Sequence, residues 1–224
     1  MPTPLPIADD AAPVVLFGGT FDPPHEAHTR LADAARRKVE RRHAAPAWLA
    51  FVPAARSPHK KDAPHATDSQ RVEMLRLATS DIERCTVWTD EIDRARSNEP
   101  SFWLTTLQRA RQVLGRRALS FIIGTDQAAN LHRWREPRAM LELAEPIVLP
   151  RAPLTTASAL RAAVTLASFW TEEELLRWAD ALVEVAHIRA ASSTIRAAQG
   201  APVDTPMHPR VIEYARRNNL YGIK

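Results

Sequence analysis

The chain of 224 residues contains a single cysteine, Cys85. One thiol excludes an intrachain disulfide and fits a reducing compartment. Its place in the apolar run Cys85-Thr86-Val87-Trp88 points to core packing rather than to a nucleophile. No stretch approaches the roughly 20 apolar residues of a membrane span, and the first thirteen residues lack the basic start and apolar block of a secretory signal. A cytoplasmic protein with no membrane partner is therefore expected. Charge of one sign is also scarce, with 30 Lys and Arg against 26 Asp and Glu and a formal net charge of +4. So mild an excess, without a basic stripe or a helix-turn-helix pattern, argues against a nucleic-acid partner and suits small anionic substrates. Neither G-x-x-x-x-G-K-[ST] nor G-x-G-x-x-G occurs, and there is no visible internal repeat.

What the chain does have is alternation. An apolar content of 45% suffices for one sizeable core. A single domain over 14–224 is expected, preceded by a flexible tail, 1–13, that carries four prolines and the Asp9-Asp10 pair. Apolar runs at Val14–Phe17, Trp48–Val52, Cys85–Thr89, Ala118–Ile123, Pro146–Leu149 and Leu182–Ile188 read as buried strands, with helical patterns between most of them. This predicts an α/β fold with a doubly wound, mostly parallel sheet and a helical C-terminal part. Thr67 with Gln70, and Thr171 with Glu174, have capping-box spacing at two helix starts. In open α/β sheets ligands sit beyond the carboxyl ends of the strands. The segments that follow the first four strands, Gly18-Gly19, Pro53–Lys60, Asp90–Phe102 and Gly124-Thr125-Asp126, should therefore meet on one rim.

The first of these segments is the most informative. Val14-Val15-Leu16-Phe17 runs into Gly18-Gly19-Thr20-Phe21-Asp22-Pro23-Pro24-His25-Glu26-Ala27-His28. Gly18 and Gly19 permit positive φ and close approach to a ligand, and a helix start near His25 would offer unpaired N–H groups to an anion. His25 and His28, three apart, share a helix face. Zinc is not expected: the H-E-x-x-H helix needs ligands four apart, and no third ligand is close in sequence.

This run resembles the G-G-T-F-D-P-x-H-x-G-H signature of the nucleotidylyltransferase superfamily, with Ala27 in place of the usual glycine. Further along, Phe51-Val52-Pro53 with Ser57-Pro58-His59-Lys60, and Phe121-Ile122-Ile123-Gly124-Thr125-Asp126 with Leu131 and Trp134, resemble motifs of the nicotinate-nucleotide adenylyltransferases of bacterial type. Ser192-Ser193-Thr194-Ile195-Arg196 resembles their S-S-T-x-I-R motif with Ala191 in place of the first serine, and Tyr214 with Asn219-Leu220-Tyr221 resembles their tail. Pro100-Ser101-Phe102-Trp103-Leu104-Thr105-Thr106-Leu107 resembles S-Y-T-x-x-T-L, with Phe102 for tyrosine and Trp103 for a threonine that lies near the nicotinate in relatives.

The resemblance implies a Rossmann-like fold and adenylyl transfer from ATP to nicotinate mononucleotide, giving deamido-NAD and pyrophosphate. It implies His25 and His28 as catalytic residues, and Gly18, Gly19, Thr20, Phe21, Lys60, Ser192, Ser193 and Arg196 at the ATP phosphates, with Arg56 and Lys61 as helpers. It implies Trp103, Gly124, Asp126 and Trp134 at the acceptor. Mg²⁺ is expected with ATP, held by phosphate oxygens and water, with no protein metal ligand. Nicotinamide mononucleotide, phosphopantetheine or another phosphorylated acceptor remains an alternative, as does a nucleotide-binding regulatory module without turnover. For residues 151–185 the pattern of Leu175, Leu176, Trp178 and Leu182 fits core packing, and an inserted helix or a homo-oligomer contact is the other reading.

Overall fold

A computed structural model describes residues 1–55, 63–95, 102–185, 191–200 and 206–224. In chain order the elements are β1 (Val14–Gly19), α1 (Glu26–His43), β2 (Trp48–Pro53), α2 (Asp68–Thr79), β3 (Cys85–Val87), α3 (Asp90–Ala95), α4 (Trp103–Leu114), β4 (Leu119–Gly124) and α5 (Thr125–Ala128). A 3-10 turn (Leu131–Arg133) follows, then α6 (Pro137–Leu143), β5 (Glu145–Leu149), α7 (Ala157–Thr165), α8 (Glu172–Ala181), α9 (Ser192–Ala198) and α10 (Pro209–Arg217).

The five strands form one parallel sheet in the order β3-β2-β1-β4-β5. Successive residues of a strand face opposite sides, so the apolar run of β1 feeds two cores at once. Val14 and Leu16 join a cluster with Leu104 and Leu107 of α4, Met140 of α6 and Trp178 of α8. Val15 joins Ala35 and Val39 of α1 and Leu75 of α2 on the other face. A smaller third core joins Met74 of α2, Ile195 of α9, Val211 of α10 and Tyr221. The capping boxes at Thr67 and Thr171 both form, each with side-chain and backbone bonds returned by Gln70 or Glu174. Among the described residues no helix is long and apolar enough to cross a membrane.

Three expectations need correction. The strand expected at Leu182–Ile188 is a single parallel bridge, Val148 to Leu182, because Leu182 directly follows α8 and reaches the sheet edge for one pairing. Residues 186–190 of that stretch lie outside the described ones. Leu176, expected on the apolar side of α8, is exposed, whereas Leu175 and Trp178 are buried.

The segment 1–13, expected as a flexible tail, is docked. Leu5 is buried, the Trp88 indole N–H donates to the Thr3 carbonyl at 2.9 Å, and the Thr3 N–H donates to Asp90 at 2.8 Å. Asp10 pairs with Arg84 at 2.9 Å and Arg117 at 2.7 Å. Cys85 is half-buried within β3, and burial pushes its thiol pKa up to about 12, which suits packing and not nucleophilic attack.

Candidate active site

β1 lies between β2 and β4, so the chain leaves it in one direction for β2 and comes back on its other side as β4. The crevice at this reversal of strand order lies beyond Gly19 and Gly124. The two glycines of β1 are needed for space, not for positive φ as the sequence suggested; the left-handed residue is Phe21, with φ 49°. A Cβ on Gly18 would lie 2.6 Å from the Trp103 ring, and one on Gly19 would lie 2.8 Å from the Phe21 ring. An aromatic ring therefore lies against each glycine.

The following loop is tied down on its carbonyl side. Arg71 of α2, fully buried and paired with Asp68, donates to the Thr20 carbonyl at 2.6 Å. Arg196 donates to the Asp22 carbonyl at 2.6 Å, and the Ser192 hydroxyl donates to the Pro23 carbonyl at 2.9 Å. Ser192 and Arg196, expected at phosphate, hold the loop's backbone, while Ser193 is exposed. Ala191 caps α9 without a side-chain bond, as the missing hydroxyl requires.

His25 is the N-cap of α1, and its backbone N–H donates to Nδ1 of His28 at 3.2 Å. A neutral ring that accepts at Nδ1 carries its proton on Nε2, which makes Nε2 the donor atom of His28. The two rings are stacked, and His28 also packs edge-on against Phe21 with centroids 5.1 Å apart. Nδ1 of His25 is buried without a hydrogen-bond partner. Burial, aided by the charge of Arg151, lowers the His25 pKa to about 4, so its ring is neutral near neutrality and ready to gain from an incoming anion. Ala27 is buried in α1, so its methyl packs inside the protein.

On the β4 side, a Cβ on Gly124 would lie 2.6 Å from Oδ1 of Asp126, so a larger residue there would have to turn that carboxylate aside. That Oδ1 is buried and unpartnered, while Oδ2 accepts from Gln127 at 3.3 Å and Arg151 at 3.4 Å. Thr125 exchanges two bonds with the backbone of Arg151, 2.9 and 3.0 Å long, fixing the end of β5 against the start of α5. Trp103 and Trp134 are both half-buried against the core cluster that includes Leu104 and Leu131.

The structure thus brings His25, His28, Gly18, Gly19, Thr20, Phe21, Trp103, Gly124 and Asp126 to the carboxyl rim. Arg56, Lys60 and Lys61, and Pro100 with Ser101, lie outside the described residues. Three residues at the site were missed. Arg151 was unmarked because it sits in a stretch with no pattern of its own. Arg71, within a helical pattern, and Asp22, within the glycine motif, carry no sequence signal of their burial. Imidazoles, amides and hydroxyls are donors suited to an oxyanion. Among the described residues no group of three or more His, Cys, Asp or Glu is placed to hold a metal ion.

Residues 16–198 match the family described as cytidylyltransferase-like. A Chromobacterium violaceum chain named "Probable nicotinate-nucleotide adenylyltransferase" is 33% identical over 94% of this chain and 99% of its own length. A Stenotrophomonas maltophilia chain of the same name is 31% identical over 92% and 96%. In fold, the chain is similar to Plasmodium falciparum nicotinic acid mononucleotide adenylyltransferase complexed with NaAD, with a TM-score of 0.66, 16% identity and coverage of 95% of this chain and 98% of that one. The chain belongs to the cytidylyltransferase-like family of nucleotidyltransferases and, within it, to the nicotinate-nucleotide adenylyltransferases.

Proposed function

We propose that this protein transfers the adenylyl group of ATP to nicotinate mononucleotide, forming deamido-NAD and releasing pyrophosphate. The observation that carries this reading is the His25–His28 pair at the start of α1, beside the Gly18-Gly19 end of β1. The names of the relatives supply the acceptor. A phosphate oxygen of the acceptor attacks the α-phosphorus of ATP, the bond to the bridging oxygen breaks, and pyrophosphate leaves with the electron pair. The acceptor is its own nucleophile, so the protein positions the reactants and stabilises charge.

His28 donates from Nε2 to the charge that develops on the triphosphate, and His25 offers its buried, unpartnered Nδ1 side to a phosphate oxygen as acceptor. Gly18, Gly19, Thr20 and Phe21 line the phosphates, with Ser193 contributing a hydroxyl and Arg196 and Lys60 charge, while Ser192, whose one O–H donates to the Pro23 carbonyl, holds the loop in place. Asp126 uses its unpartnered oxygen to accept a hydroxyl or amide of the acceptor, and Gly124, Trp103 and Trp134 bound the same pocket. Mg²⁺ enters with ATP, held by phosphate oxygens and water.

The test is pyrophosphate release from purified protein with Mg-ATP and nicotinate mononucleotide, nicotinamide mononucleotide or phosphopantetheine in parallel. Release that needs nicotinate mononucleotide supports the reading. The Trp103 ring over Gly18 favours one second reading, a different phosphorylated acceptor, which release with another compound alone would establish. ATP binding without release under any condition would favour a regulatory module.

A further inference from the structure

The most densely bonded side chain of the phosphate loop is one that has no part in the chemistry proposed above. Asp22 is buried, and its carboxylate accepts from the His65 N–H at 2.8 Å, from the Ala66 N–H at 3.1 Å and from the Tyr221 hydroxyl at 2.7 Å. Tyr221 stands 199 positions further along the chain, in the short tail after α10. The hydroxyl stays protonated, because burial and the Asp22 carboxylate both raise its pKa, so it is a donor at every working pH.

The tail is seated by backbone packing as well. Gly200 has φ 90°, and a Cβ on it would lie 1.9 Å from the Gly222 carbonyl oxygen. Gly222 has φ 69°, and a Cβ there would lie 2.5 Å from the Gln199 carbonyl carbon. Asn219 and Tyr221 hold left-handed backbones, φ 54° and 58°, that side chains rarely adopt unless their surroundings impose them. The tail therefore lies directly on the end of α9, the helix that carries Ser192 and Arg196. The same C-terminal region supplies the Pro206 carbonyl that accepts from the Glu26 N–H at 2.9 Å, at the first residue of α1.

We propose that Asp22 is a positioning residue for the histidine loop and that Tyr221 is its remote partner, so that the tail 219–224 is a latch on the phosphate site. The inference rests on reading the loop 20–25 as that site. A carboxylate beside a triphosphate repels it unless its charge is engaged elsewhere, and three donors engage this one. Arg71, Arg196 and Ser192 do the same for the carbonyls of Thr20, Asp22 and Pro23, whose negative dipole ends would otherwise oppose phosphate. Loss of the Tyr221 hydroxyl leaves the charge less engaged and the loop less ordered. ATP binding suffers, and the acceptor side, built on β4 and α5, does not.

Three variants test this: Tyr221→Phe, which removes the one hydroxyl; Gly200→Ala, which displaces the tail without touching Tyr221 or Asp22; and Asp22→Asn. Amide hydrogen exchange over 18–28 is expected to quicken about tenfold in the first two, the effect of one lost charge-assisted bond, while 48–53 and 119–124 keep their protection. The KM for ATP should rise about tenfold with that of the acceptor unchanged, and Tyr221→Phe should add nothing to Asp22→Asn, since both break one interaction. Faster exchange confined to 206–224, a uniform rise across the sheet, or additive effects of the two substitutions would each overturn the latch. If the wild-type protein releases no pyrophosphate, the proposed function fails, whereas the exchange comparison still decides the latch.

Discussion

The rings of His25 and His28 lie 3.7 Å apart with 23° between their planes, so the two imidazoles at the start of α1 pack against each other. His28 has two separable parts, an Nδ1 that accepts from the His25 N–H and an Nε2 to which the proposed function gives the donor role. Asparagine at 28 can keep the first and cannot supply the second. Both His28→Ala and His28→Asn should lower kcat by about a hundredfold or more, as loss of a transition-state donor does, with Asn the more stable of the two. Steady-state rates beside thermal melting check it, and near-normal turnover in the folded Asn variant would remove His28 from the chemistry.

The lowered pKa of His25 makes stability depend on pH. Above the ordinary value of 6.5 the ring is neutral in the folded and unfolded chains alike, and nothing is lost. Between 6.5 and about 4 only the unfolded chain takes up the proton, so stability falls as pH falls, by about 3 kcal/mol once pH 4 is reached, and then levels off. Urea unfolding at pH 7 and pH 4.5 for the wild type and His25→Gln isolates this share. The wild type should lose more than the variant, and equal losses would mean that His25 titrates normally.

Local pattern explains why some of this was legible in the sequence. β1, β2, β4 and β5 are covered on both faces, so each is an unbroken apolar run between polar segments. The histidine loop and the Gly124–Asp126 corner are contiguous, and each glycine marks a place where a neighbouring ring or carboxylate would have to shift to admit a Cβ. The Asp22–Tyr221 bond has no such signal, because its partners are a hydroxyl near the chain end and two amides ahead of α2. The docked N-terminal segment was hidden for the same reason. It is held by isolated residues, Thr3, Leu5 and Asp10, whose partners lie far along the chain, and its prolines suggested mobility.

Asp126 should show function held at the expense of stability. Its Oδ1 is buried with no donor, a cost that the folded protein bears and that an acceptor's hydroxyl or amide would relieve. Asp126→Ala is expected to leave the melting temperature unchanged or raised, while the KM for the acceptor rises about tenfold or more and that for ATP stays put. A variant that is destabilised with an unchanged acceptor KM would make Asp126 a structural residue.

Gly18 and Trp103 are coupled by contact, because any Cβ at 18 meets the indole at 2.6 Å. Gly18→Ala should therefore weaken acceptor binding by pushing the ring aside, and Trp103→Thr, which removes the ring, should make room for the methyl. In the double variant the acceptor KM is expected to lie closer to that of Trp103→Thr than the sum of the two effects would put it. Strict additivity would show that the ring does not need this seat on Gly18.

The N-terminal segment yields the last prediction, one that bears on where the folded unit begins. Removing residues 1–13 exposes the pocket of Leu5 and leaves the Trp88 indole N–H and the Asp90 carboxylate each short of a backbone partner. Burial of one leucine contributes about 2 kcal/mol, and each lost hydrogen bond adds about 1 kcal/mol where water cannot replace it. The truncated chain should thus be less stable by about 2 to 4 kcal/mol, read as a lower denaturant midpoint at constant slope. Asp90 also accepts from Arg94 of α3 and from Arg109 of α4, the helix that begins at Trp103. Loosening it should raise the KM for the acceptor before that for ATP. An unchanged midpoint would return the segment to the status of a tail.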